Sequence, residues 1–206
     1  MHLRASAIVC AVRPHAETAA IARMMTAEHG MVAGYVAGGR GRQLRPVLIP
    51  GNRIDLELRS KSDTQLPFAR LELVQSRGPW LTEPLPAAGI AWATALAAAV
   101  LPERQPYPAI YDALDALLEA ICVAPSARRW AMPLLSYETL VLRELGYGEP
   151  VQRPDAEDPA AQLRAFDLLG RHVERYLLAD RRGDVMAART MLRERLARIL
   201  EEQGNP

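Results

Sequence analysis

The sequence predicts a two-domain α+β chain, with a small β-barrel over residues 1–80 followed by an all-α helical bundle over residues 81–206. Two features carry that prediction. Up to Gln75, short apolar runs with a period of two are punctuated by glycine and proline, whereas beyond Pro79-Trp80 the apolar period becomes helical. Between the two, Glu83-Pro84-Leu85-Pro86 reads as a linker.

In the front half, His2 to Val12 is a continuous apolar run with Ile8, Val9 and Val12, ended by Arg13-Pro14, and reads as a buried strand. Ala19 to Thr26 and Met31 to Ala37 form a hairpin across Glu28-His29-Gly30, although Ala19-Ala20-Ile21-Ala22 would also suit a helix. Pro46 to Pro50 is short and bounded by prolines. Ile54, Leu56 and Leu58 alternate with Asp55, Glu57 and Arg59, the cleanest period of two in the chain. After a polar turn at Lys61-Ser62-Asp63, Ala69, Leu71 and Leu73 alternate with Arg70, Glu72 and Gln75. About five short strands joined by glycine turns suit a barrel of the OB-fold type.

The back half reads as five helices. Ala87 to Leu101 is apolar nearly all round, as in the centre of a bundle. A second helix follows Pro106-Tyr107-Pro108, with Ile110, Leu114, Leu117 and Ile121 on one face. A third runs from about Ala127 to Leu145 and is stopped by Gly146-Tyr147-Gly148. Glu149 to Pro159 is a polar loop. Leu163, Phe166, Leu169, Val173 and Leu177 mark the fourth helix, and Asp184 is placed to cap the fifth.

Charge is distributed unevenly. Through Trp80 there are eleven Arg/Lys and six Asp/Glu, a net +5, and from Leu81 onward fourteen Arg and eighteen Asp/Glu, a net −4. A basic front points to a polyanionic partner there. Cys10 and Cys122 fall in apolar surroundings and read as buried free thiols of a reducing cytoplasm. Arg4 and Arg13 bracket an N-terminal run too short for a leader, and no segment has the ~20 apolar residues of a membrane span.

The stretch with the clearest chemistry is Gly38-Gly39-Arg40-Gly41-Arg42-Gln43-Leu44-Arg45. Glycine lets a backbone pass close to another molecule, and arginine offers a planar fork of donors matched to phosphate oxygens. A solvated loop is the plain alternative. Asp112 and Asp115, one turn apart, fit an exposed helix face. His15 and Glu17 have no converging nucleophile, and there is no P-loop and no dinucleotide fingerprint.

The order of elements resembles the bacterial recombination mediator family RecO over nearly the whole chain. The first strand with Arg13-Pro14-His15-Ala16-Glu17-Thr18 is similar to that family's opening pattern. Glu28-His29-Gly30 with the following strand, the Gly/Arg loop and Leu48-Ile49-Pro50-Gly51 are similar to its turn, strand and basic loop. Tyr107-Pro108-Ala109-Ile110-Tyr111-Asp112 and the run from Tyr137 to Gly148 are similar to its two helical signatures. Many members carry a cysteine cluster after the Leu-Gly-Tyr-Gly segment, and some bind zinc there. Here Glu149-Pro150-Val151-Gln152-Arg153-Pro154 holds no cysteine, and His2, His15, His29 and His172 are scattered, so no metal and no other cofactor is expected.

The resemblance implies a non-enzymatic protein that binds single- and double-stranded DNA and anneals complementary strands. It implies that, with RecR, the protein helps to load RecA onto strands coated by single-strand-binding protein, whose acidic C-terminal tail is a further partner. A nucleoid-associated cytoplasmic location follows. The alternative is an adaptor that docks proteins without touching DNA. Arg40, Arg42 and Arg45 are the leading candidates for nucleic-acid contact, with Arg13, Arg59 and Lys61 behind them. Tyr35 fits the core or the outer barrel wall better than a groove, and Phe68, opening a strand, is expected to be packed, so binding should lean on phosphates more than on bases. Arg128-Arg129-Trp130 suits an acidic, hydrophobic-ended peptide, with solvated arginines beside a core tryptophan as the simpler alternative.

Overall fold

The computed structural model describes residues 2–202 apart from 61, 63, 64, 125, 149–151, 157 and 180–184. Five strands come first: β1 His2–His15, β2 Ala19–Thr26, β3 Gly30–Val36, β4 Arg53–Arg59 and β5 Phe68–Gln75. They close into a barrel in the order β1-β2-β3-β5-β4, with β4 returning to β1. All pairings are antiparallel except β3 with β5. This is the Greek-key connectivity of an OB-like barrel.

β1 makes closure possible because its two halves serve different neighbours. His2 to Ile8 pair with β4, and Ala7 to His15 pair with β2, with a bulge at Cys10 between Val9 and Ala11. A bulge bends and coils a strand, as a barrel wall needs. The strand continues through Pro14, beyond its expected end at Val12. Pro14 pairs on one side only, with Ala20 of β2, the kind of edge position at which a sheet tolerates proline. The barrel is staggered. The row that leaves β1 at Arg13 passes Ile21, Tyr35, Phe68 and Arg59 and returns to β1 at His2, eleven residues earlier.

Val9, Met24, Val32, Ile54, Leu56 and Leu58 fill the interior. The alternation expected of β4 holds, with Ile54, Leu56 and Leu58 inward. That of β5 holds at Ala69 and Leu71, while Leu73 is 43% exposed. Cys10, at the bulge, is buried and free, and burial pushes its thiol up to about 12; Cys122 is likewise buried and free. Pro46 to Pro50 is not a strand. The segment 41–48 is folded into helical turns through Arg45 N–H to Gly41 O (2.9 Å) and Leu48 N–H to Leu44 O (3.0 Å).

A 3₁₀ turn over Gly78–Thr82 precedes five helices: α1 Pro84–Val100, α2 Pro108–Val123, α3 Arg128–Glu144, α4 Pro159–His172 and α5 Val185–Glu202. The residues expected to be a linker open α1 instead. Pro84 and Pro86 occupy its first turn, where backbone N–H groups have no intrahelical acceptor and a proline loses nothing. Asp158 caps α4 by accepting from Ala161 N–H (2.9 Å), with Pro159 next, so this helix starts earlier than the apolar stripe shows. Its far end runs on as a π-helical segment, Val173–Leu178. Asp184 lies outside the described residues. Among the described residues no helix is long and apolar enough to cross a membrane.

The chain divides into two compact units, Met1–Thr82 with Thr94–Tyr111, and Glu83–Ala93 with Asp112–Pro206. α1 therefore contributes to both. The second unit is built on a buried ion pair. Arg189 of α5 donates from Nε (3.1 Å) and Nη2 (2.7 Å) to Glu138 of α3, and from Nη2 to Phe166 O (2.5 Å). Glu138 also accepts from Trp92 Nε1–H (2.7 Å), and the guanidinium lies 3.6 Å from the Phe166 ring centroid. Both charged groups are almost wholly out of solvent.

Removing one partner of such a pair costs about 3–5 kcal/mol, because the other charge stays buried. Glu138→Ala should therefore lower the urea midpoint of helix loss, read by far-ultraviolet circular dichroism. The double change Glu138→Met with Arg189→Leu should recover much of the loss, since no charge is then stranded.

Candidate nucleic-acid interface

The basic segment between β3 and β4 is anchored. Asn52, fully buried, donates from its amide to the carbonyls of Pro46 (2.9 Å) and Val47 (3.1 Å) and accepts from Arg77 N–H (2.8 Å). At the other end Arg40 reaches the β1–β2 turn. Its N–H donates to Thr18 O (3.0 Å), and Nη1 donates to Ala16 O (3.1 Å) and Glu17 O (3.0 Å). Carbonyls hold this guanidinium without cancelling its charge.

Arg40 and Arg45 line one cleft of about 420 Å³ with Val12, Pro14, Ala20 and Leu48. Arg42 and Arg45 are exposed, and their guanidinium groups make no hydrogen bond or ion pair with any described residue. The loop thus offers two uncompensated cations and a third fixed by backbone. Such a set can hold phosphate oxygens.

The outer wall of the barrel adds a second feature. Residues in register on neighbouring strands share a face, so Arg13, Ile21, Tyr35, Phe68 and Arg59 form one row across β1, β2, β3, β5 and β4. The Phe68 ring lies 5.2 Å from Tyr35 at 77°, and Tyr35 lies 5.8 Å from His15 at 87°. Phe68 is 64% exposed, so the expectation of a packed phenylalanine is wrong. Phe68 starts a strand whose inward parity belongs to Ala69 and Leu71, and it falls on the outer face. The one sequence signal was that parity.

Arg59 is not a free cation. Its Nε (2.9 Å) and Nη2 (2.6 Å) both meet Glu57 Oε1, which also takes His2 Nε2 (2.7 Å) and Arg4 Nη2 (3.1 Å). Hydrogen bonds from Arg59, then from His2 and Arg4, bring the Glu57 carboxyl from 4.5 down to about 2. Lys61 lies outside the described residues. The five expected cations that are described are held in three different ways. Arg40, Arg42 and Arg45 cluster on one loop, Arg13 ends the outer row, and Arg59 is shared with a carboxylate.

In the helical unit the tryptophan of Arg128-Arg129-Trp130 does not face solvent. Trp130 is 2% exposed and its ring packs 3.3 Å from where a side chain on Gly89 would begin, so it belongs to the core. Arg129 is exposed, and the Arg128 side chain lies outside the described residues. A groove of about 520 Å³ lies elsewhere in this unit, lined by Leu117, Ala120, Met132 and Leu140 together with Arg143 and Arg153. Among the described residues no group of His, Cys, Asp or Glu is arranged to hold a metal.

Residues 1–77 match the family model described as recombination protein O N terminal, and residues 83–154 match recombination protein O C terminal. The DNA repair protein RecO of Rhodospirillum centenum is 42% identical over 143 residues, 69% of this chain and 56% of that protein. That of Phenylobacterium zucineum is 38% identical over 150 residues, 72% of this chain and 60% of that protein. This chain belongs to the RecO family. The matched part covers at most about three-fifths of these two relatives' length. The two RecO models meet the chain where the barrel ends and the helices begin, which agrees with the α+β architecture.

Glu57 gives this RecO barrel a pH signature. A carboxyl held below its ordinary value lends stability that is complete above that value and vanishes as pH falls through the lowered one. Glu57→Gln should therefore lower the thermal midpoint near neutral pH, and the gap to the parent should close as pH falls from 4.5 toward about 2. A gap that stays constant over that range would mean that the carboxylate does not stabilise the fold.

Proposed function

We infer that this RecO-family chain is a DNA-binding recombination mediator without catalytic chemistry. In this reading it binds single- and double-stranded DNA through the barrel and anneals complementary strands. With RecR it then helps to load RecA onto strands coated by single-strand-binding protein during recombinational repair. The observation that carries the reading is the anchored loop of Arg40, Arg42 and Arg45, whose charge no described carboxylate cancels. Sequence-independent binding is supported by the same set, because guanidinium–phosphate contacts position a strand without reading its bases.

Each phosphate neutralised releases counterions, which sets the salt dependence at a slope of about −0.7 per contact for a single strand. Arg40, Arg42 and Arg45 replaced together by alanine should weaken binding of a labelled oligonucleotide and flatten the salt slope by about two. Helical content by circular dichroism should be unchanged. A parent protein with no salt-dependent binding would instead favour a protein-docking adaptor.

In the same reading the acidic C-terminal tail of single-strand-binding protein binds in the groove of the helical unit, a proposal supported by the lining of that groove. Arginine beside an apolar depression suits a peptide with carboxylates and a hydrophobic end, and Arg143 and Arg153 stand beside Leu117, Met132 and Leu140 there. Arg143→Glu with Arg153→Glu should weaken titrated tail peptide by at least tenfold and leave oligonucleotide affinity unchanged. Undiminished peptide binding would move the tail to another surface.

A further inference from the structure

We propose that Phe68 is a base-stacking residue and that the row Arg13–Ile21–Tyr35–Phe68–Arg59 receives unpaired bases, which makes the barrel wall a device for telling single strands from duplex. The proposal rests on the DNA-binding reading above and adds a second, chemically distinct contact to it.

Phe68 is the most exposed aromatic ring of the row, at 64%, and its conformation is set from the side. Tyr35, half-buried, meets it edge to face at 5.2 Å and meets His15 in the same manner at 5.8 Å. Tyr35 is thus a positioning residue. It holds two outer rings at fixed angles, so a base laid on Phe68 costs little side-chain ordering. The register Tyr35↔Phe68 and the bond from Tyr35 N–H to Pro67 O (2.8 Å) fix the backbone beneath both rings.

Cations stand at the two ends. Arg13 is exposed, and its guanidinium has no partner among the described residues. Arg59 and Arg4 share the single carboxylate of Glu57, so that end is also net positive. Four strand spacings separate Arg13 from Arg59, about 19 Å round the wall, enough for a short run of nucleotides with phosphates at both ends and bases on the rings. Exposed phenylalanine between guanidiniums fits a ligand that is anionic along its chain and aromatic at its side. A duplex hides its base faces in its own stack, so it can meet the arginines but not the ring.

Three probes of equal length separate the contacts: an intact single strand, an abasic strand with the same phosphates, and a duplex. The parent should bind the intact strand about tenfold more tightly than the abasic one, as expected for one or two stacked bases. Phe68→Ala should lower affinity for the intact strand about five- to tenfold and leave the abasic strand and the duplex unchanged. Phe68→Trp and Tyr35→Phe should retain the preference, whereas Phe68→Leu, apolar but without a π face, should lose it. Equal affinity of the parent for intact and abasic strands would overturn the proposal while leaving the phosphate contacts standing. So would a Phe68→Leu protein as selective as the parent, or a Phe68→Ala protein weakened on all three probes alike. No binding to any probe would overturn the DNA reading itself.

Discussion

Everything on the outer wall of the barrel depends on how closely β3 and β5 approach. Their contact is parallel and in register at one pair, Tyr35 with Phe68. It is possible because residue 34 has no side chain. A Cβ there would lie 2.7 Å from Ala69 Cβ of β5 and 2.9 Å from Leu58 Cδ2 of β4, inside van der Waals contact with both. With Gly34 the sheet closes, β5 is wedged between β3 and β4, and Phe68 is turned outward beside Tyr35. With any larger residue Ala69 of β5 must move away from β3, which loosens the Tyr35–Phe68 pairing.

The same closure sorts the arginines by what holds them. Those of the Gly/Arg loop are held by backbone: Arg40 by the carbonyls of Ala16 and Glu17, the loop base by Asn52. Carbonyl anchoring restricts a guanidinium without subtracting charge, so the ordering entropy is met before any ligand arrives. Arg59 is held by a carboxylate shared with His2 and Arg4. An exposed pair of that kind contributes little to stability by itself and lowers the local potential. Position on the barrel, more than residue type, decides which cation is available to a polyanion.

Much of the architecture was legible in the sequence, and the misses have physical causes. β4 was plain because Ile54, Leu56 and Leu58 face a core while Asp55, Glu57 and Arg59 face water, and period two survives such one-sided burial. Prolines misled twice. Pro14 and Pro84 look like breaks, yet one sits where a strand has a single neighbour and the other in a helix's first turn. Phe68 was misjudged because a large aromatic ring is usually buried, a prior that ignored the parity set by Leu71. The basic loop was found by composition alone, but its anchor was not. Asn52 reads as an ordinary turn residue until Pro46, Val47 and Arg77 are seen around it.

The helical unit shows the opposite balance of local and distant information. Its stripes predicted helices well, yet the group that joins them is polar and long-range: Glu138 and Arg189 are 51 residues apart, and Trp92 is 46 from Glu138. No periodicity reports such a pairing, because each residue looks like a solvated charge on its own helix. Buried together they constrain the unit more tightly than apolar packing alone would, since α5 must present Arg189 at one height on α3 to satisfy both carboxylate oxygens and the Phe166 carbonyl. Gly170 belongs to that constraint, as a side chain there would run into the Arg189 guanidinium.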